Sequence, residues 1–184
     1  KGGKRSDGNG AIMRLAAVPC MHWQNVEKAR SIAIAQSQCT HHSPLSEGCC
    51  DLMALILCRL ISGDNWEQIL PYPSELNWLE EVSLLSNCRW RNKVEEEVQS
   101  TGYVIHTLEA AIWCVDNTNS FQDAVLKAVN LGEDADTVGA VTGQLAGARY
   151  GIEDIPDVWL SELIDQPRIR TIAETIFDRS LALG

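Results

Sequence analysis

Asn130-Leu131-Gly132-Glu133-Asp134-Ala135-Asp136-Thr137-Val138-Gly139, continuing to Gly151, is the stretch from which the fold can be read. Gly139, Gly143, Gly147 and Gly151 follow one another at intervals of four. On a helix that spacing places all four on one face. Each glycine costs about 1 kcal/mol of helix stability relative to alanine, so four in register require a packing reason. A buried helix at the centre of an all-helical body supplies one, with the stripe acting as a groove where another backbone approaches closely. Just ahead, Asp134, Asp136 and Thr137 offer two carboxylates and a hydroxyl within four residues. Oxygen sets of this kind suit hard cations such as Mg²⁺ or Mn²⁺. The same residues also read as an N-cap, because side-chain oxygens accept the free N–H groups of a first helical turn. The two readings are compatible, and both stay open on the sequence. Gly132 permits a sharp or left-handed turn into the segment.

Outward from this stretch, 184 residues predict a single domain over 1–184 with a real core. The net charge of −10 argues against nucleic acid as a partner, since that needs a basic surface. A phosphate-bearing small molecule stays compatible, because a bound cation inverts the local field. Seven scattered cysteines form no C-x-x-C pair, which argues against structural zinc and for a reduced, cytoplasmic setting. The apolar run 52–60 is too short to cross a bilayer, so no membrane partner is expected. The chain starts on Lys1 and meets a motif almost at once. That suggests a fragment lacking something N-terminal.

Along the chain, periodicity predicts helices throughout and no strand. Residues 1–5 read as a flexible basic lead-in. Ser6-Asp7-Gly8-Asn9-Gly10 is a turn-rich loop feeding a short helix that Pro19 stops, and the helix N–H groups behind it form an anion cradle. A helix over 25–38 carries Val26, Ala29, Ile32, Ala33 and Ala35 on one side. The loop holding His41 and His42 leads into an apolar core helix over 46–61. Short helices follow over 65–70 and 74–86. The charged stretch 89–98 reads as a solvated connector. Helices end the chain over 101–116, 120–129 (capped by Ser120), the glycine stripe, 158–164 and 168–183.

Three stretches together resemble the ADP-ribosylglycohydrolase family, of the dinitrogenase-reductase-activating glycohydrolase type. Ser6-Asp7-Gly8-Asn9-Gly10 with Met13-Arg14 and Pro19 resembles its Ser-x-Gly-Asn-Gly-x-x-Met-Arg motif. Thr40-His41 resembles its Thr-His loop. The block from Thr101-Gly102-Tyr103-Val104 to Gly151, densest at 130–137 and 143–151, resembles its C-terminal portion. The resemblance implies a compact, all-α, multi-helix orthogonal bundle around a two-metal centre of Mg²⁺ or Mn²⁺. It also implies hydrolysis of the bond between ADP-ribose and a protein side chain such as arginine or serine. Carried over, Asp134, Asp136 and Thr137 match metal ligands, with Asp134 and Asp136 as the catalytic carboxylates and Asp136 as the bridge between metals. Ser6, Gly8 and Asn9 match a loop lining the ADP-ribose site, and His41 a substrate-contacting histidine. The family's N-terminal Gly-Asp-rich motif and Thr-Asp-Asp run, which carry its other ligands, have no counterpart here. Glu133 stands where the family commonly has glycine. The expectation is thus about half of a metal centre, with the missing ligands on an N-terminal segment or a second chain.

Three functions follow as expectations. The first is metal-assisted glycosidic hydrolysis acting on ADP-ribosylated protein, with no residue of this chain assigned as general base. The second is a non-catalytic ADP-ribose-binding module or pseudoenzyme. The third is a helical globule that shares only the scaffold.

Overall fold

The computed structural model of the protein describes residues 7–73 and 78–183. Ser6, the lead-in 1–5 and the start of the helix expected over 74–86 lie outside the described residues. In chain order the helices are α1 (Gly10–Met13), α2 (Ala17–His22), α3 (Val26–Gln38), α4 (Pro44–Ile61), α5 (Trp66–Ile69) and α6 (Glu80–Ser86). They continue with α7 (Val104–Asp116), α8 (Phe121–Asn130), α9 (Ala135–Tyr150), α10 (Asp157–Glu162) and α11 (Gln166–Leu181). Short 3₁₀ turns occupy Arg89–Asn92, Glu95–Glu97 and Ile152–Asp154. Among the described residues there is no strand, and an isolated bridge pairs Gly8 with Tyr103. The all-α expectation therefore stands.

Local chemistry sets the helix starts. Asn25, Ser43 and Ser120 each accept the N–H three residues on, at 3.0–3.1 Å. These caps satisfy donors that a first turn leaves free. Pro44 occupies the first turn of α4, where its missing N–H costs nothing. Pro19 sits in the same way within the first turn of α2, so it belongs to a helix and does not end one. The sequence reading placed a stop there because it treated the run from Gly10 as one helix. The chain in fact breaks at Arg14 and restarts at Ala17.

Helix α4 is the axis of the body. Fourteen of its eighteen residues are buried, and it packs against α3, α7, α9 and α2. Leu52, Met53 and Ile56 are fully enclosed. Each contributes roughly 1.5–3 kcal/mol on leaving water. On the α3 side the burial is not purely apolar. Arg30 donates to both oxygens of Asp51, Nε at 2.7 Å and Nη2 at 2.9 Å, and Trp78 Nε1 donates to Asp51 Oδ2 at 2.6 Å. Hydrogen bonding to Asp51 raises the Arg30 pKa further. Ala35, expected on the buried face, is exposed, because the inward arc of α3 runs through Ala29, Arg30, Ala33 and Ser37. The charged stretch 89–98 is more than a solvated connector. Trp90 within it is fully buried and donates Nε1–H to the Leu85 carbonyl at 2.9 Å.

The glycine stripe divides along its length. A Cβ on Gly139 would lie 2.9 Å from Val129 Cγ1 on α8, so here the close approach is real. A Cβ on Gly143 would meet nothing within 4 Å. Gly147 would make only ordinary contact with Phe121, and Gly151 lies past the helix end at φ +81°. The expected continuous backbone groove is confined to the first turns of α9, against a side chain rather than a backbone.

Candidate active site

Two consecutive left-handed residues, Gly132 at φ +79° and Glu133 at φ +49°, turn the chain from α8 into α9. The Asp134 N–H then donates to the Ser100 carbonyl at 3.1 Å, which fixes the backbone where the carboxylate emerges. At the other end of the chain, Val104 N–H donates to the Asp7 carbonyl at 2.9 Å, and Gly8 bridges Tyr103. The loop 100–103 is therefore a strut between the N-terminal loop and the start of α9.

The side chains meet across this strut. Asn9 Nδ2 donates to Asp134 Oδ2 at 2.6 Å and to Thr107 Oγ1 at 2.9 Å. Thr137 Oγ1 donates to Asp134 Oδ1 at 3.1 Å. The Asp134 carboxylate is thus held at both oxygens by neutral donors, one from the distant N-terminal loop and one three residues on. It makes no capping bond to the first turn of α9. Asp136 instead accepts the Thr137 N–H on Oδ1 at 2.9 Å, and it is solvent-exposed. The capping alternative therefore fails for Asp134 and holds only locally for Asp136.

His41 closes the side of the loop. Its ring lies so near Gly10 that a Cβ there would sit 2.8 Å from Cε1, and one on Gly8 would sit 3.4 Å from Nε2. Only glycine at position 10 lets the imidazole lie against the loop backbone. Thr40 Oγ1 accepts from Arg14 Nη2 at 2.6 Å and lies 2.8 Å from His41 Nδ1. With the threonine proton assigned to Nδ1, the imidazole carries its own proton on Nε2. Arg14 also donates to the carbonyls of Gly10 at 2.8 Å and Gln36 at 3.1 Å. It ties the glycine loop to the histidine loop.

Gly8, Asn9, Asp134 and Thr137 are thus brought together, with His41 packed on Gly8 and Asp136 in the same helical turn. Sequence reading missed Thr107 and Arg14 as site residues. Thr107 lies inside the helix expected over 101–116, and its hydroxyl was the available signal. His106, one residue earlier, bonds Thr101 through Nδ1 at 2.8 Å, and burial lowers its pKa.

Among the described residues no group of three or more His, Cys, Asp or Glu is placed to hold a metal ion. The donors here are two carboxylates and a hydroxyl, all hard oxygens. Each carboxylate oxygen retains a free lone pair beside its hydrogen bonds. The set fits part of a Mg²⁺ or Mn²⁺ shell, since Mg²⁺ keeps several waters and takes one or two carboxylates.

The sequence pattern of the family described as ADP-ribosylglycohydrolase matches residues 1–182. The chain is 41% identical over 175 residues to a protein of Serratia proteamaculans named ADP-ribosylarginine hydrolase Tri1, covering 92% of this chain and 46% of that protein. It is 32% identical over 156 residues to the ADP-ribosyl-[dinitrogen reductase] glycohydrolase of Rhodospirillum rubrum, covering 85% of this chain and 50% of that one. A solved structure titled ADP-ribosylglycohydrolase-related protein complex superposes with a TM-score of 0.88 at 30% identity, over 97% of this chain and 62% of that one. The chain therefore spans about half the length of the curated relatives it matches.

Proposed function

The chain belongs to the ADP-ribosylglycohydrolase family, and from that premise we propose that it serves the hydrolytic removal of ADP-ribose from modified protein side chains of the arginine or serine type. The observation that carries the reading is the 2.6 Å bond from Asn9 to Asp134, which joins the glycine loop to the carboxylate segment across 125 residues. Gly8, Asn9 and His41 line the ADP-ribose side, and Asp134, Asp136 and Thr137 are the residues that would hold a cation. Mg²⁺ or Mn²⁺ bound there would polarise the anomeric centre and position water. The protein's own part is to orient: Asn9 and Thr137 fix Asp134, and Thr40 sets the ring of His41. Asp134 and Asp136 serve as ligands, since a coordinated carboxylate is a weak base.

A second reading has its own support. The lack of a third carboxylate or imidazole near the pair, among the described residues, favours an ADP-ribose-binding module without catalysis. One titration separates the two. Calorimetry of ADP-ribose into the protein in Mg²⁺, repeated in EDTA, gives metal-dependent binding under the hydrolase reading, and Asp136→Ala abolishes it. Binding indifferent to EDTA favours the recognition module. No binding in either condition removes both readings for this chain by itself.

A further inference from the structure

We propose that Thr107 is a positioning residue for the site: through Asn9 it fixes the orientation of the Asp134 carboxylate before any cation arrives. The inference rests on the reading of Asp134 as a cation ligand. Its physical basis is a chain of single choices. Thr107 is fully buried, in the first turn of α7. Its hydroxyl proton goes to the Thr101 carbonyl at 3.0 Å or the Tyr103 carbonyl at 3.3 Å. Its oxygen is then left only as an acceptor toward Asn9. Asp134 Oδ2 is likewise only an acceptor. The Asn9 atom that faces both must therefore be the amide nitrogen, whose two hydrogens satisfy one partner each. Rotating the amide by half a turn would set its oxygen against Asp134 Oδ2 and require the Thr107 hydroxyl to give up its carbonyl acceptor. Thr107 thereby reads out the correct Asn9 rotamer, and Asn9 delivers the remaining hydrogen to Asp134. The other carboxylate oxygen is held by Thr137. Partners behind a metal ligand commonly account for ten- to hundredfold in metal affinity.

The test compares Thr107→Val, which exchanges the hydroxyl for a methyl of similar size, with Thr107→Ser, which keeps it. Mn²⁺ affinity is read by the loss of the free-ion electron paramagnetic resonance signal. The Asn9 side-chain amide is read by NMR. Expected are a ten- to hundredfold weaker Mn²⁺ affinity in Thr107→Val and recovery to near the parent value in Thr107→Ser. The double variant Asn9→Ala/Thr107→Val should lose no more than Asn9→Ala alone, because both act through one bond. Equal affinity in Thr107→Val, or additive losses, overturns the proposal. If the parent protein binds no Mn²⁺, the metal reading fails separately, and the amide signal decides. Two slowly exchanging Asn9 protons that persist in Thr107→Ser, with faster exchange in Thr107→Val, support the positioning role, and exchange unchanged in Thr107→Val refutes it. Thr107→Ala supplies the same readouts should the valine variant not fold.

Discussion

The junction of Asn9, Thr107 and Asp134 and the helix α11 are held in opposite ways. At the junction, each polar atom that matters is met by a partner from a different part of the chain. α11 packs on α2 alone among the helices with substantial contact. It does so near its C-terminal end, where Trp23 stacks on Phe177 at 6.4 Å and donates to Ser180 at 3.0 Å. Its only buried residue is Ser180, and Ile169 and Ile172 lie about half exposed. Nearby Ile164 is 89% exposed. α4 is apolar almost all round and has neighbours on every side, whereas α11 is amphipathic and packs on α2. Both segments are helical, and the breadth of the apolar surface is what separates the enclosed one from the open one.

The comparison breaks most visibly in the body. Asp51→Ala leaves the buried Arg30 guanidinium with only the exposed Glu27 and takes the acceptor from Trp78 Nε1, and should cost about 3–5 kcal/mol in chemical denaturation. An undiminished midpoint would mean that water reaches this pair. Next, Leu52→Ala in α4 should cost about 2–5 kcal/mol, while Ile169→Ala in α11 should stay within about 0.5 kcal/mol. A large loss at Ile169, together with a concentration-dependent midpoint, would show that α11 is covered in solution. Within α9, Gly143→Ala should stabilise by roughly 0.5–1 kcal/mol through helix propensity. Gly139→Ala should not, because its Cβ meets Val129 at 2.9 Å. Equal thermal shifts for the two would contradict the divided stripe. The smallest effect concerns His106. Burial lowers its pKa in the fold, so the unfolded chain takes up the proton first. Its contribution is present above the ordinary histidine value of about 6.5 and is lost as pH falls through the lowered one. His106→Gln should flatten that part of the stability curve between neutral and mildly acidic pH.

Much of this was legible in the residues. The spacing of apolar side chains gave α3, α4, α7 and α8, and Ser120 gave its own cap. Gly132 foretold a left-handed turn. Glu133 did not, because a non-glycine residue carries no sign of positive φ. The resemblance named Asp134, Asp136, Thr137, Asn9 and His41, yet no pattern along the chain tells that Asn9 reaches Asp134. Long-range polar pairs leave no period, so Arg30 with Asp51 and Thr107 with Asn9 stayed hidden. Trp90 was concealed by the charges around it. For α11 periodicity predicted a helix over 168–183, but periodicity does not tell what covers an apolar side.

The span between Asn9 and Asp134 also bears on how the molecule comes into being. Bringing together groups 125 residues apart carries a chain-closure entropy of roughly 4 kcal/mol in its length-dependent part. Contacts of such high sequence separation are slow to form, and they reward the chain only once the intervening helices are docked. The glycine loop and the carboxylate turn form a single site only when the helices between them are docked. A chain that binds ligand through both has, by that fact, brought these two segments together, so ligand binding reports on the docking of the helices between them.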